Sequence, residues 1–213
     1  MAIIDKPTDY FETLTWSGNS TDNRAISGLD FAPNWVWIKC RNNGQNHNLF
    51  DTVRGATESI ESNSSNAENT DATSLKSFTS DGYTLGTGVT VNGNSKTYVG
   101  WNWKAGTSFT NDASSTGIGT IDSAGSVNQD AGFSIVSYTG NSPNATTIKH
   151  GLNSIPQMII FKRLVGAGNW ATYHQTTGNT KALFLNTTAA PDTSAGYFNN
   201  TTPTSSVFSV ANS

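Results

Sequence analysis

A single cysteine, Cys40, leaves no partner for an intrachain disulfide, so sulfur says nothing about the compartment. Charge is equally scarce. Only 13% of residues are Asp, Glu, Lys or Arg, and the formal net charge is -3. A protein that neutralises phosphates needs a basic surface, so nucleic acid is excluded as the expected partner. No apolar run approaches the length that crosses a bilayer, and no membrane insertion is expected. The opening "MAIIDKPTDYF" lacks the basic-then-apolar pattern of a signal peptide, and the expectation is a soluble protein that does not leave by that route. There is no phosphate-binding loop, no G-x-S-x-G elbow, and no histidine or cysteine pair at metal-ligand spacing. The sequence therefore implies no cofactor, no metal and no catalytic residue.

What is abundant is Thr, Ser and Asn, together 79 of 213 residues, with 20 Gly. These residues compete with helix hydrogen bonding or carry excess chain entropy, so they disfavour helices. Hydrophobic residues make up 35% and cluster in short runs, enough for a globular core. The runs read as strands. "NWVWIKC" is apolar on both faces, with Trp35 and Trp37 on one and Val36 and Ile38 on the other, as expected of a strand central to a two-layer core. "KTYVGWNWKAG" places Val99, Trp101 and Trp103 on one face, which reads as the inward one. "ATESIES" is the one helix-like segment and is assigned to a strand, as is its counterpart "KALFLNT". "NNG", "SDG", "NGN" and "TGN" punctuate the runs as turns.

The most informative feature is an internal repeat. "LTWSGNS" (Leu14–Ser20) resembles "VSYTGNS" (Val136–Ser142), 122 positions later. "ISGLDFAPNWVWIKCR" resembles "IKHGLNSIPQMIIFKR" with one inserted residue, after which the offset is 123. About a hundred residues per copy suits a small β-sandwich. The expected organisation is all-β: a first antiparallel sandwich over residues 1–106, a Ser/Thr/Gly-rich connector over 107–132 with a short strand near Ile118–Val127, and a second sandwich over 133–213. One larger sandwich built from both copies is the alternative.

The motifs "HNLFDTVRGA", "SNSSNAE", "LKSFTSDGYTLGTG" and "TYVGWNWKAG", with "HGLNSIPQMIIFKRL", "NWATYH" and "TPTSSVFSV", resemble a domain common in virion proteins of marine tailed phages, cyanophages among them. The resemblance spans nearly the whole chain. It implies a phage structural protein, a tail fibre or tail-associated module, with a lectin-like sandwich of the concanavalin or SPRY type and no enzyme activity. It also implies location in the virion after synthesis in the host cytoplasm, contacts with other virion proteins or with host surface glycan or protein, and a homo-oligomer, trimeric if a fibre. A capsid decoration protein is the alternative, and a glycan-cleaving enzyme a weaker one.

The charged stretch "HNLFDTVRGATESIESNSSNAE" (47–68) is the one place where an active site suggests itself. Asp51, Glu58, Glu61 and Glu68 offer the two carboxylates a glycosidase needs. The second copy, from Phe133 onward, has a single carboxylate, Asp192, so the carboxylates are not common to the repeat. Asp51 and Arg54 are expected to form a surface or interface ion pair, worth at most about 1 kcal/mol if exposed. His47, His150 and His174 read as structural or surface residues. Trp35 and Trp37 align with Met158 and Ile160, positions that want bulk rather than an indole, so they read as core. Trp170 and Tyr173, in "GNWATYH" near an expected loop, are the candidates for surface recognition through aromatic stacking.

The ending differs between the copies. Copy two reaches "SSVFSVANS" without a counterpart of "TYVGWNWKAG". A sandwich short of a central strand exposes an apolar cleft and unpaired backbone. The expectation is that a continuation of the chain supplies the strand, donation by a neighbouring chain being the alternative.

Overall fold

The computed structural model describes residues 4–141 and 146–211. Ser142, the last residue of the second "TGNS" match, lies outside them. The fold is all-β, built from antiparallel pairs, and the chain divides into two compact units: Met1–Gly106 with Leu164–Ala167, and Thr107–Arg163 with Gly168–Ser213.

The described residues of unit one form nine strands: β1 (Phe11–Ser17), β2 (Arg24–Ser27), β3 (Trp35–Cys40), β4 (Asn48–Asp51), β5 (Gly55–Glu61), β6 (Asn69–Thr70), β7 (Leu75–Thr79), β8 (Gly82–Leu85) and β9 (Thr97–Trp103). One sheet runs β1-β9-β3-β4-β5-β6 and the other β2-β8-β7. Their facing side chains, Trp16, Val36, Ile38, Phe50 and Tyr98 from the first and Ile26, Leu75, Tyr83 and Leu85 from the second, form one buried cluster. Strand β9 is inserted between the first and third strands and pairs antiparallel with both.

The inward face of β9 is opposite to that read from its heavy residues. Tyr98, Gly100 and Asn102 are buried, while Val99, Trp101 and Trp103 point outward and are half-buried. Space decides this. A Cβ on Gly100 would sit 2.5 Å from the Tyr83 hydroxyl and 3.1 Å from the Trp16 ring, so the inner face at that point admits no side chain.

Unit two holds β10 (Thr107–Asn111), β11 (Ser123–Asn128), β12 (Phe133–Tyr138), β13 (Thr146–Lys149), β14 (Met158–Phe161), β15 (Ala171–His174), β16 (Leu183–Phe184) and β17 (Val207–Val210). Three sheets result: β10-β11-β12, β14-β15-β16 and β13-β17. The segment 107–132, read as a connector, carries two of these strands and belongs to unit two. The short strand expected near Ile118–Val127 overlaps β11, whereas polar composition hid β10, in which Phe109 is the single apolar residue.

Three strand pairs of unit two keep the register of three strand pairs of unit one. Val36↔Phe50 in β3–β4 corresponds to Ile159↔Tyr173 in β14–β15, each partner 123 positions on. Leu49↔Ile60 in β4–β5 corresponds to Thr172↔Leu183 in β15–β16 at the same offset. Ile26↔Tyr83 in β2–β8 corresponds to Ile148↔Phe208 in β13–β17. The inward residues correspond as well: Val136, Ile148, Ile159, Phe161 and Phe208 share one cluster, as Leu14, Ile26, Val36, Ile38 and Tyr83 do.

Candidate functional site

The charged stretch resolves into a closed clamp. Arg54 lies in the turn between β4 and β5 and folds back under the segment that ends at Glu68. Its Nε donates to Asp51 Oδ2 at 2.6 Å, and its Nη1 to Glu68 Oε2 at 2.6 Å and to the Glu58 carbonyl at 3.0 Å. Its Nη2 donates to the Leu49 carbonyl at 3.2 Å. The other Asp51 oxygen accepts the backbone N–H groups of Val53 and Arg54. The expected Asp51–Arg54 pair exists, but it is not a surface pair: the side chains are 5% and 7% exposed. The cause is β4, every residue of which is buried, so the turn that follows starts from the interior. Glu58 meanwhile accepts from the Thr70 hydroxyl, and Glu61 from Asn66. Asp51 and Glu68 thus hold a cation between them rather than flanking an open bond, and the arrangement locks a hairpin.

The two recognition candidates are also displaced inward. Trp170 is 4% and Tyr173 3% exposed. Tyr173 lies in β15, the central strand of its sheet, and packs edge-on against Phe198 at 5.7 Å beside Ala182. The Trp170 carbonyl accepts from Leu185 and its N–H donates to Asn186 Oδ1, which ties this residue down directly before β15. Neither is available to stack on a ligand.

The aromatic face that the fold does present lies on the outer side of β1, β9 and β3. Antiparallel register sets Trp35 opposite Trp103 and Trp37 opposite Trp101, and Phe11 on the far side of Trp103. Ring centroids are 4.7 Å apart for Phe11–Trp103, 4.8 Å for Trp35–Trp103 and 6.0 Å for Trp37–Trp101. The indoles are half-buried and Phe11 is 37% exposed. His47 closes one end: its Nδ1 accepts the Trp37 indole N–H at 3.1 Å. Burial, and secondarily the Lys39 charge, lower its pKa, which favours the neutral ring this bond requires. An indole row of this kind suits the apolar faces of sugars or the side chains of a protein partner. Sequence reasoning assigned Trp35 and Trp37 to the core. The signal for the outer face was the recurrence of a W-x-W pattern in two strands, "WVW" and "WNW", which antiparallel pairing brings side by side.

The remaining chemistry-bearing residues are engaged in the fold. His150 is buried, with Nδ1 accepting the Leu152 N–H and Nε2 against the Thr204 carbonyl, and burial lowers its pKa. His174 Nδ1 accepts the Thr176 N–H. Cys40 is 1% exposed, with Sγ 3.7 Å from Asn42 Oδ1. Among the described residues no three His, Cys, Asp or Glu converge as a metal site, and no helix is long and apolar enough to cross a membrane.

Residues 6–213 match the family described as a domain of unknown function, DUF7483, and the chain belongs to that family. No curated protein and no solved structure matches it.

Proposed function

We propose that the chain is a non-catalytic structural and adhesion module of a tailed-phage particle, a tail fibre or tail-associated protein, built as a tandem of two related sandwich units. The sequence resemblance suggests the particle. The shared pairing register supports the tandem. The observation that carries the binding reading is the aromatic row on β1, β9 and β3, in which Trp37 and Trp101 stand edge to face beside His47. The engagement of Asp51 and Glu68 by Arg54 supports a scaffold rather than a glycan-cleaving site. Such a module displays rigid aromatic and polar contacts, and many copies on one particle raise weak single contacts to useful avidity. Antibody labelling of purified particles tests location: label on the tail supports the reading, and label on the head favours a decoration protein. Binding to host surface polysaccharide tests the site. Trp37→Ala with Trp101→Ala is expected to reduce binding at least about tenfold, the loss of roughly one stacking contact. Unchanged binding rejects the aromatic face.

A further inference from the structure

Strand β1 is a sheet edge built without the devices that ordinarily blunt one, which are shortness, lysine, proline or a bulge. It is seven residues long, "FETLTWS", and pairs with β9 along its whole length in an unbroken antiparallel register, and with no other described strand. The opposite edge of the same sheet, β6, has two residues, and the β7 edge of the facing sheet carries Lys76 and an irregular register. β1 has no lysine, arginine or proline. Its one charge, Glu12, lies on the side of Leu14 and Trp16 and accepts the Asp30 N–H. The direction of its backbone groups follows from the ladder. The Tyr10 carbonyl accepts from Lys104 and the Gly18 N–H donates to the Lys96 carbonyl, so the even-numbered residues between them turn their backbone groups to β9. Those of Phe11, Thr13, Thr15 and Ser17 point the other way, out of the sheet edge, and the side chains of these four residues are exposed. Among these groups the Ser17 carbonyl is engaged, by the Arg24 guanidinium.

We propose that the β1 edge is a self-association surface, at which two copies of the chain pair antiparallel about a two-fold axis through Leu14. The strand's own sequence selects both the occupant and the register. An antiparallel partner must set edge-directed residues opposite edge-directed residues. Centring on Leu14 does so: Thr13 faces Thr15 of the second copy, and Phe11 faces its Ser17. Thr13 and Thr15 then exchange backbone bonds with their partners in both directions, and the Ser17 N–H donates to the Phe11 carbonyl of the second copy. The Thr–Thr pairs on the outer face are favourable cross-strand neighbours. On the inner face Leu14 meets Leu14, which extends the buried cluster it packs on, and Glu12 meets Trp16. Centring on Glu12 would set two carboxylates opposite each other, and centring on Thr13 or Thr15 would leave part of the strand unpaired. The Leu14 axis pairs the strand over its full length with no like charges opposed. Pairing doubles the six-stranded sheet into a closed, isologous dimer. Because the axis stands perpendicular to the sheet, the aromatic rows of the two copies lie on the same side. The surface belongs to unit one alone and does not depend on which particle or ligand the module serves.

The test uses the full chain. Sedimentation equilibrium from about 1 to about 100 μM is expected to show a monomer–dimer equilibrium. Over the same range amide exchange at Thr13 and Thr15 is expected to slow, while that of Leu14, already turned to β9, stays unchanged. Thr13→Lys with Thr15→Lys sets like charges directly opposite on both sides of the axis and is expected to weaken the dimer at least about tenfold. Thr13→Glu with Thr15→Glu is expected to do the same. Mixing the two double variants sets Lys opposite Glu and is expected to restore a dimer holding one copy of each. A chain that stays monomeric throughout, a dimer that both double variants leave intact, or variants that do not recombine on mixing overturns the proposal. So does concentration-dependent protection confined to residues outside 11–17. The exchange measurement needs no substitution and decides the matter where a variant fails to fold.

Discussion

Two hairpins whose strands pair in the same register are held by different chemistry. In unit one the turn after β4 is fixed by Asp51, whose carboxylate accepts the N–H of Val53 two residues on. In unit two the turn after β15 is fixed by His174, whose Nδ1 accepts the N–H of Thr176, again two residues on. Asp51 and His174 are 123 positions apart, and the strands around them keep register. The carboxylate in unit one also recruits Arg54 and through it Glu68, while the corresponding position in unit two is Thr177. What the two hairpins share is a side-chain acceptor for the backbone N–H two residues on. The ion pairs are an addition, and charge in this stretch therefore says more about local locking than about chemistry performed on a ligand.

The largest effect separating the units is expected at that addition. Arg54→Ala leaves the buried Asp51 and the half-buried Glu68 without their cation and is expected to cost about 3 kcal/mol. Thr177→Ala is expected to change stability by no more than about 0.5 kcal/mol. Urea melts with residue-level exchange check both: Arg54→Ala should loosen β4 and β5 and leave the β13–β17 pair protected. Equal effects of the two substitutions would mean that the clamp is not what distinguishes the hairpins.

A smaller effect is expected in acid. Burial holds the pKa of both His47 and His150 below the ordinary value of about 6.5. A group with a depressed folded pKa adds stability above its unfolded value and loses it as pH falls through the folded one. Stability should therefore be level above about pH 6.5 and decline below it, as the Trp37 indole and the Leu152 N–H lose their acceptors. Each bond is worth about 1 kcal/mol. His47→Gln should remove the component read by tryptophan fluorescence and leave that read by exchange at Leu152. Loss of both components together would contradict two independently acting acceptors.

The smallest effect concerns Tyr83 and its counterpart Phe208. The Tyr83 hydroxyl is fully buried and finds no hydrogen-bond partner among the described residues. Unit two places a phenyl ring at the same register position. Tyr83→Phe should be neutral or stabilise by up to about 1 kcal/mol, measured by thermal melting. A clear loss of stability would show that the hydroxyl has a role that Phe208 does not reproduce.

How much of this was legible in the sequence follows from the same comparison. The strands "WVWIKC" and "MIIF", and their offset, could be read because alternation and turn residues are local properties. The inward face of β3 was not legible, because both of its faces are apolar and Trp35 and Trp37 read as core. Nor was the face of β9, because it depends on Tyr83 and Trp16 crowding Gly100 from distant strands. Trp170 and Tyr173 were misplaced for a similar reason: a four-residue strand after "GAGN" looks like a loop until its neighbours β14 and β16 are in place. The Asp51–Arg54 pair was legible from spacing, but its burial and the third partner, Glu68, depend on the return path of the chain.

Residue-level hydrogen exchange on the 213-residue chain, comparing β3 with β14, bears most directly on the account. β3 has strand neighbours on both sides, β9 and β4, and should be protected at every amide. Among the described residues β14 pairs with β15 alone, so protection should alternate along 158–161, with the amides not bonded to β15 exchanging at least about a hundredfold faster than those of β3. Uniform protection along β14 equal to that of β3 would contradict the one-sided pairing of β14.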